Sequence, residues 1–218
     1  TPITTSFSSS SPDQDHPPEI GIGIDLGTTF SAVAYLKHGQ TPTMIPIPHN
    51  GRTMPSLVSI LPSNHDNDKE IVMVGREAAE AAHTYGVEPY CNVKRILGTG
   101  GKLSPDIVKV VPFVQPSPVG QTFKKNSLTN QIADAQNFPT LLRKSTTPLE
   151  NDPATTLRPE VISSHVLRTL VETAQNHTHC RVTRAVIGVP AYFHDAQREA
   201  TQQAAQLAGL DKVKLLRE

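Results

Sequence analysis

The segment from residue 185 to 216 constrains the fold most. Ala185 to Val189 is a short apolar run of strand length, Ala196 to Ala208 has helical composition, and Val213 to Leu216 is a second strand run. Asp195 stands where it can cap the helix start, and Gly209 suits the position just beyond the helix end. Strand, helix and strand in that order most simply form a right-handed parallel crossover. An α/β architecture follows.

The other end of the chain supplies different strands. Ile20, Ile22 and Ile24 alternate with glycines before Asp25, and Phe30 to Leu36 is a second apolar run, which predicts two strands joined by a tight turn. Met44 to Ile60 is punctuated by Pro46, Pro48, Asn50-Gly51 and Pro55 and reads as strand, turn and strand. Gly75 to His83 is rich in alanine and glutamate, hence helical. Helical spacing also links Ile162, Val166, Leu170 and Ala174, after a proline at 159 whose backbone angle suits a first turn. The expected sheet is mixed, an antiparallel meander first and a parallel strand later.

Two stretches lack such patterning. Residues 1–19 are rich in Ser, Thr and Pro and read as a disordered tail. Residues 115–158 break every short apolar group with Pro, Ser, Thr, Asn or Gln and read as a long polar surface loop. No apolar run approaches the ~18 residues of a membrane-spanning helix, so a soluble protein is expected. Lys plus Arg equal Asp plus Glu at 20 each, so no broad field attracts nucleic acid or anionic lipid. Any phosphate site must be local. Cys91 and Cys180 form no CxxC pair, and His177 and His179 read as a solvated loop between a helix and a strand.

One turn has the chemistry for phosphate. Gly27, Thr28 and Thr29 offer backbone N–H groups, small size and hydroxyls, and Asp25 at the strand end is placed to hold magnesium through its waters. The same residues also suit an ordinary hairpin. Neither the Walker loop nor the GxGxxG turn is present, since a strand rather than a helix follows.

Longer motifs extend this reading. GIGIDLGTTFSAVAYL at 21–36, NVKRILG at 92–98, VIGVPAYFHDAQREAT at 186–201 and AGLDKVKLLRE at 208–218 resemble the seventy-kilodalton heat-shock chaperones in order and spacing. The resemblance implies the first lobe of an actin-like, ribonuclease-H-like ATPase. Its core would comprise 20–55 and 159–218, with a smaller subdomain inserted at 56–158. It further implies ATP or ADP and Mg2+ as ligands, with Gly27, Thr28, Thr29 and Phe30 around the phosphates and Asp25 at the metal. By the same resemblance Lys94 is the catalytic lysine and Arg95 a phosphate-neutralising arginine. Glu218 belongs to the water and magnesium network, and Pro190 and Arg198 to the relay toward a peptide-binding domain.

The implied partners are unfolded or hydrophobic peptides and cochaperones, namely J-domain proteins and nucleotide-exchange factors. The implied compartment is the cytoplasm, with a plastid or mitochondrion as the alternative. Phe30 stands where the family often has tyrosine, and His194 replaces a small polar residue. These 218 residues contain no second, DLGGGT-like phosphate turn. The competing functions are a sugar or glycerol kinase of the same superfold and a non-hydrolysing nucleotide-binding module.

Overall fold

A computed structural model describes residues 17–36, 41–49, 51–61, 70–99 and 156–218, the strand pieces at 114–115 and 140–142, and positions 106 and 111. Residues 1–16, expected as a tail, lie outside the described residues. Glu19 opens strand β1 (Glu19–Asp25), and Arg181 N–H donates to the Pro18 carbonyl at 2.8 Å.

The alternating pattern of β1 and the apolar run after the turn fold as anticipated. β2 (Phe30–Tyr35) pairs antiparallel with β1, from Ile22 opposite Tyr35 to Asp25 opposite Ala32. The proline-punctuated stretch yields three pieces rather than two, because prolines interrupt the ladder. They are β3 (Thr43–Met44) and β4 (Met54–Pro55), both paired with β2, and β5 (Val58–Leu61), which forms a separate antiparallel ladder with β6 (Ile71–Val74). Helix α1 (Arg76–Tyr85) packs on that ladder and ends at Gly86 in the left-handed conformation. A single 3₁₀ turn follows at Val93–Arg95.

Most of 115–158 lies outside the described residues. The described pieces are β7 (Val114–Gln115), β8 (Thr140–Leu142) and β9 (Thr156–Leu157), which form an antiparallel three-stranded sheet.

Helix α2 (Pro159–Thr178) starts on its proline as the sequence suggested. Glu160 in its first turn is buried, favourably placed for the helix dipole, and its Oε2 accepts from Arg158 Nε at 3.2 Å. Ile162, Val166, Leu170 and Ala174, spaced three or four apart, are all buried, so the helix buries the stripe that its periodicity marks. It runs longer than expected. His177 is helical, its ring 6.1 Å from Tyr35, and His179 is the left-handed cap, so neither histidine is in a free loop.

The crossover is as derived. β10 (Arg181–Val189), helix α3 (Asp195–Leu207) and β11 (Lys212–Arg217) give parallel pairing of β10 with β11, and β10 also pairs in parallel with β1. The main sheet therefore runs β11-β10-β1-β2-β3, with β4 beside β2. Gly209 takes φ 89°, as a residue past a helix end requires. Asp195 is not the cap. The extended residue is His194, and Asp195 already has its place in the first helical turn, where its carboxylate pairs with Arg198.

Alternation along the strands divides the sheet into two faces. Ile22, Ile24, Val33, Ala185 and Ile187 join one core with Ile162, Leu167 and Leu170 of α2, and that core also includes Val58, Ile60, Tyr90 and Ile96. Gly23, Val186 and Leu216 on the opposite face are exposed. Ile187→Ala should therefore cost about 2–5 kcal/mol by leaving a cavity, whereas Val186→Ala, one residue away, should cost less than about 1 kcal/mol. Chemical denaturation of both variants measures the contrast.

Candidate active site

Parallel strands bring their carboxyl ends together, and ligands of open α/β sheets gather there. Asp25 ends β1 opposite Gly188 of β10, and Gly188 lies opposite Leu216 of β11. Two residues beyond Leu216, on the same face, comes Glu218. Its N–H donates to the Val189 carbonyl at 3.0 Å, which prolongs the ladder and holds the residue in place. A side chain at position 188 would stand 1.9 Å from Glu218 Oε1, so the carboxylate lies where glycine leaves space. Asp25 and Glu218 thus flank Gly188 at the ends of β1 and β11, the two strands on either side of β10, and both are exposed.

Lys94 arrives from the 3₁₀ turn. Gly98, at φ 67°, closes that segment against α3, where any Cβ would meet the Ala196 carbonyl at 2.4 Å. The Lys94 ammonium sits 5.7 Å from the centroid of the Phe193 ring, within cation–π range. Burial pushes its pKa below the ordinary lysine value, and the negative charges of Asp25 and Glu218 pull it partly back. The two carboxylates and the lysine therefore share one electrostatic neighbourhood.

A small cavity of about 10 Å³, enough for one water, lies between the turn, Lys94 and helix α2, lined by Leu26, Gly27, Thr28, Val93, Lys94 and Ile162, among others. At Gly27 a Cβ would lie 1.8 Å from the Phe30 carbonyl, so the turn between β1 and β2 admits no side chain there. Thr29 and Phe30 are exposed, Phe30 by 54%. Arg95 is exposed as well and is not among the lining residues.

Pro190 and Arg198 meet at a residue to which sequence reasoning gave no role. Phe193 N–H donates to the Pro190 carbonyl at 3.0 Å, and the Phe193 carbonyl accepts from Arg198 Nη1. The same residue's ring faces Lys94. Phe193 is 5% exposed and joins the lysine to both Pro190 and Arg198. Its place in the PAYF motif was the available signal, but a buried phenylalanine in a motif reads first as core.

Comparison with known proteins identifies the family. The family model described as Hsp70 protein matches residues 21–218. The chain belongs to the Hsp70 family. Its sheet and flanking helices are accordingly those of the actin-like ATPase fold. Among curated Hsp70 relatives it is similar to "Chaperone protein dnaK" of Cyanidioschyzon merolae (strain NIES-3377 / 10D), 35% identical over 197 residues, covering 90% of this chain and 28% of that protein. It is also similar to "Chaperone protein HscA homolog" of Pasteurella multocida (strain Pm70), 33% identical over 203 residues, covering 93% of this chain and 27% of that protein. The chain thus spans little more than a quarter of the length of these relatives.

The lowered pKa of Lys94 has a sign that can be checked. An unfolded chain binds this proton more tightly than the folded one, so the contribution of Lys94 to stability rises with pH between its lowered folded value and 10.5. Direct NMR titration of the lysine side chains should find Lys94 below the others. Asp25→Asn and Glu218→Gln should each lower it further, because each removes an attraction that favours the charged form.

Proposed function

We propose that this chain is the ATP-binding first lobe of an ATP-dependent protein-folding chaperone. The observation that carries the reading is the convergence of Lys94, Asp25 and Glu218 at the strand ends of an Hsp70-family chain. Phosphoryl transfer to water is chiefly positioning and charge neutralisation, and these are the parts it needs. The names of the relatives support a chaperone, so the kinase alternative is not favoured.

In this reading Gly27, Thr28, Thr29 and Phe30 form the turn around the phosphates. The Lys94 ammonium orients the γ-phosphate and the attacking water, and partial burial strengthens its field. Arg95, exposed at the end of the 3₁₀ turn, neutralises phosphate charge as nucleotide enters. Two exposed carboxylates on the strands flanking β10 suit Mg2+, which takes oxygen ligands and keeps much of its water. Asp25 would hold it through water, and Glu218 would accept hydrogen bonds from that water and from the nucleophile. When bound, magnesium supplies neutralisation of the β- and γ-phosphate charge.

Pro190 and Arg198 carry the state of this site outward. Their shared contact with Phe193, whose ring meets Lys94, gives the relay a physical start. In the whole protein the relay would govern the grip on unfolded peptides, with J-domain proteins and nucleotide-exchange factors acting on the cycle. We assign 20–55 and 159–218 to the lobe core and 56–158 to an inserted subdomain, and we place the protein in the cytoplasm.

A nucleotide clamp works by closing two walls and excluding water. The isolated 218 residues, which hold a single phosphate turn, should bind ATP weakly and release negligible phosphate. In the longer protein carrying both turns, Lys94→Ala should lower single-turnover hydrolysis by ~10²–10³-fold. Steady phosphate release by the 218-residue chain that Lys94→Ala abolishes would refute the one-wall account, and unchanged hydrolysis in the longer variant would remove Lys94 from the mechanism.

A further inference from the structure

A closed ring of hydrogen bonds braces the turn between β1 and β2. Gly27 N–H donates to Ser31 Oγ at 3.1 Å. Ser56 Oγ donates to the Gly27 carbonyl at 2.9 Å, and the two serine oxygens lie 2.8 Å apart. Proton counting fixes the direction of that last bond. A serine hydroxyl has one proton to give and a carbonyl only accepts, so the Ser56 proton is used on Gly27. Ser31 must then donate to Ser56.

Each hydroxyl therefore donates once within the ring and accepts once. Gly27 gives through its N–H and receives through its carbonyl, and head-to-tail chains of this kind polarise one another. A fourth bond runs beside the ring, from Ser56 N–H to the Thr29 carbonyl at 2.8 Å. Ser31 is 1% exposed and belongs to β2, while Ser56 follows β4, so the brace draws on two elements that the sheet already fixes.

The consequence lies in the peptide planes. A trans peptide points its N–H opposite to its C=O. Holding the Gly27 carbonyl on Ser56 therefore fixes the direction of the Thr28 N–H, and holding the Thr29 carbonyl fixes that of the Phe30 N–H. The Gly27 N–H is itself spent within the ring. We propose that Ser31 and Ser56 are positioning residues for phosphate binding: they lock the turn so that the Thr28 N–H is aimed before a phosphate arrives. This rests on the reading of the turn as a phosphate site.

Two readouts on the 15N-labelled 218-residue chain separate the brace from the binding. The first is hydrogen exchange of the Gly27 amide without nucleotide; the second is MgATP affinity from amide shifts of Thr28 and Thr29. Ser31→Ala and Ser56→Ala should each speed Gly27 exchange and weaken MgATP binding by about three- to tenfold. The double variant should be little worse than either single one, since a ring broken once is already open. Ser56→Thr restores a hydroxyl and should return both readouts toward the wild-type values.

Exchange that rises while MgATP affinity stays fixed would overturn the positioning role. Unchanged Gly27 exchange in both alanine variants would overturn the ring itself. If the wild-type chain shows no MgATP shifts at the turn, the phosphate reading falls and the positioning role with it, while the exchange arm still reports on the brace. Should the buried Ser31→Ala variant fail to fold, the half-buried Ser56 pair of variants decides the matter by the same criteria.

Discussion

The parallel pairing of Asp25 with Gly188 is the contact on which the site depends. It places the end of β1 beside the end of β10, and it puts a position with no side chain between Asp25 and the strand that leads to Glu218. Because nothing projects from Gly188, the Glu218 carboxylate can lie across it. Any larger residue there would displace Glu218 and separate the two acids. Backbone register thus sets the two acidic residues at one end of the open sheet face.

A lysine beside them resolves an electrostatic problem while creating another. Neighbouring carboxylates repel, and a cation nearby offsets that. Lys94 gives up hydration to come close, which lowers its pKa, and the charges of both acids compensate in part. The balance leaves a cation that is incompletely satisfied by the protein. Such a group has a reason to attract the negative charge of a phosphate. Phe193 couples this balance to Pro190 and Arg198 through its own backbone, so a change at the lysine has a short path to the first turn of α3.

Much of this was legible before any coordinates. The β10-α3-β11 crossover, the β1-β2 turn and the buried stripe of α2 follow from local periodicity, and local periodicity is what a sequence displays openly. The site residues were legible only as a set, since Lys94 alone reads as a surface charge. Other features needed the fold. Ser31 and Ser56 meet across 25 positions of chain, and no local pattern announces a hydroxyl pair at that distance. Asp195 was a reasonable cap by residue type, yet the backbone becomes helical one residue earlier and the carboxylate turns to Arg198 instead. His177 was misplaced because a polar helix end and a polar loop look alike in composition.

The central claim is that one phosphate wall stands at the carboxyl ends of β1, β10 and β11. Mapping amide shift changes across the whole 15N-labelled chain, during titration with ATP in the presence and absence of magnesium, tests it most directly. The account predicts weak, saturable shifts that cluster at residues 25–30, 94 and 188–189 and at Glu218, with the changes at Asp25 and Glu218 requiring magnesium. Shifts centred elsewhere, or changes at the two acids that ignore magnesium, would contradict it.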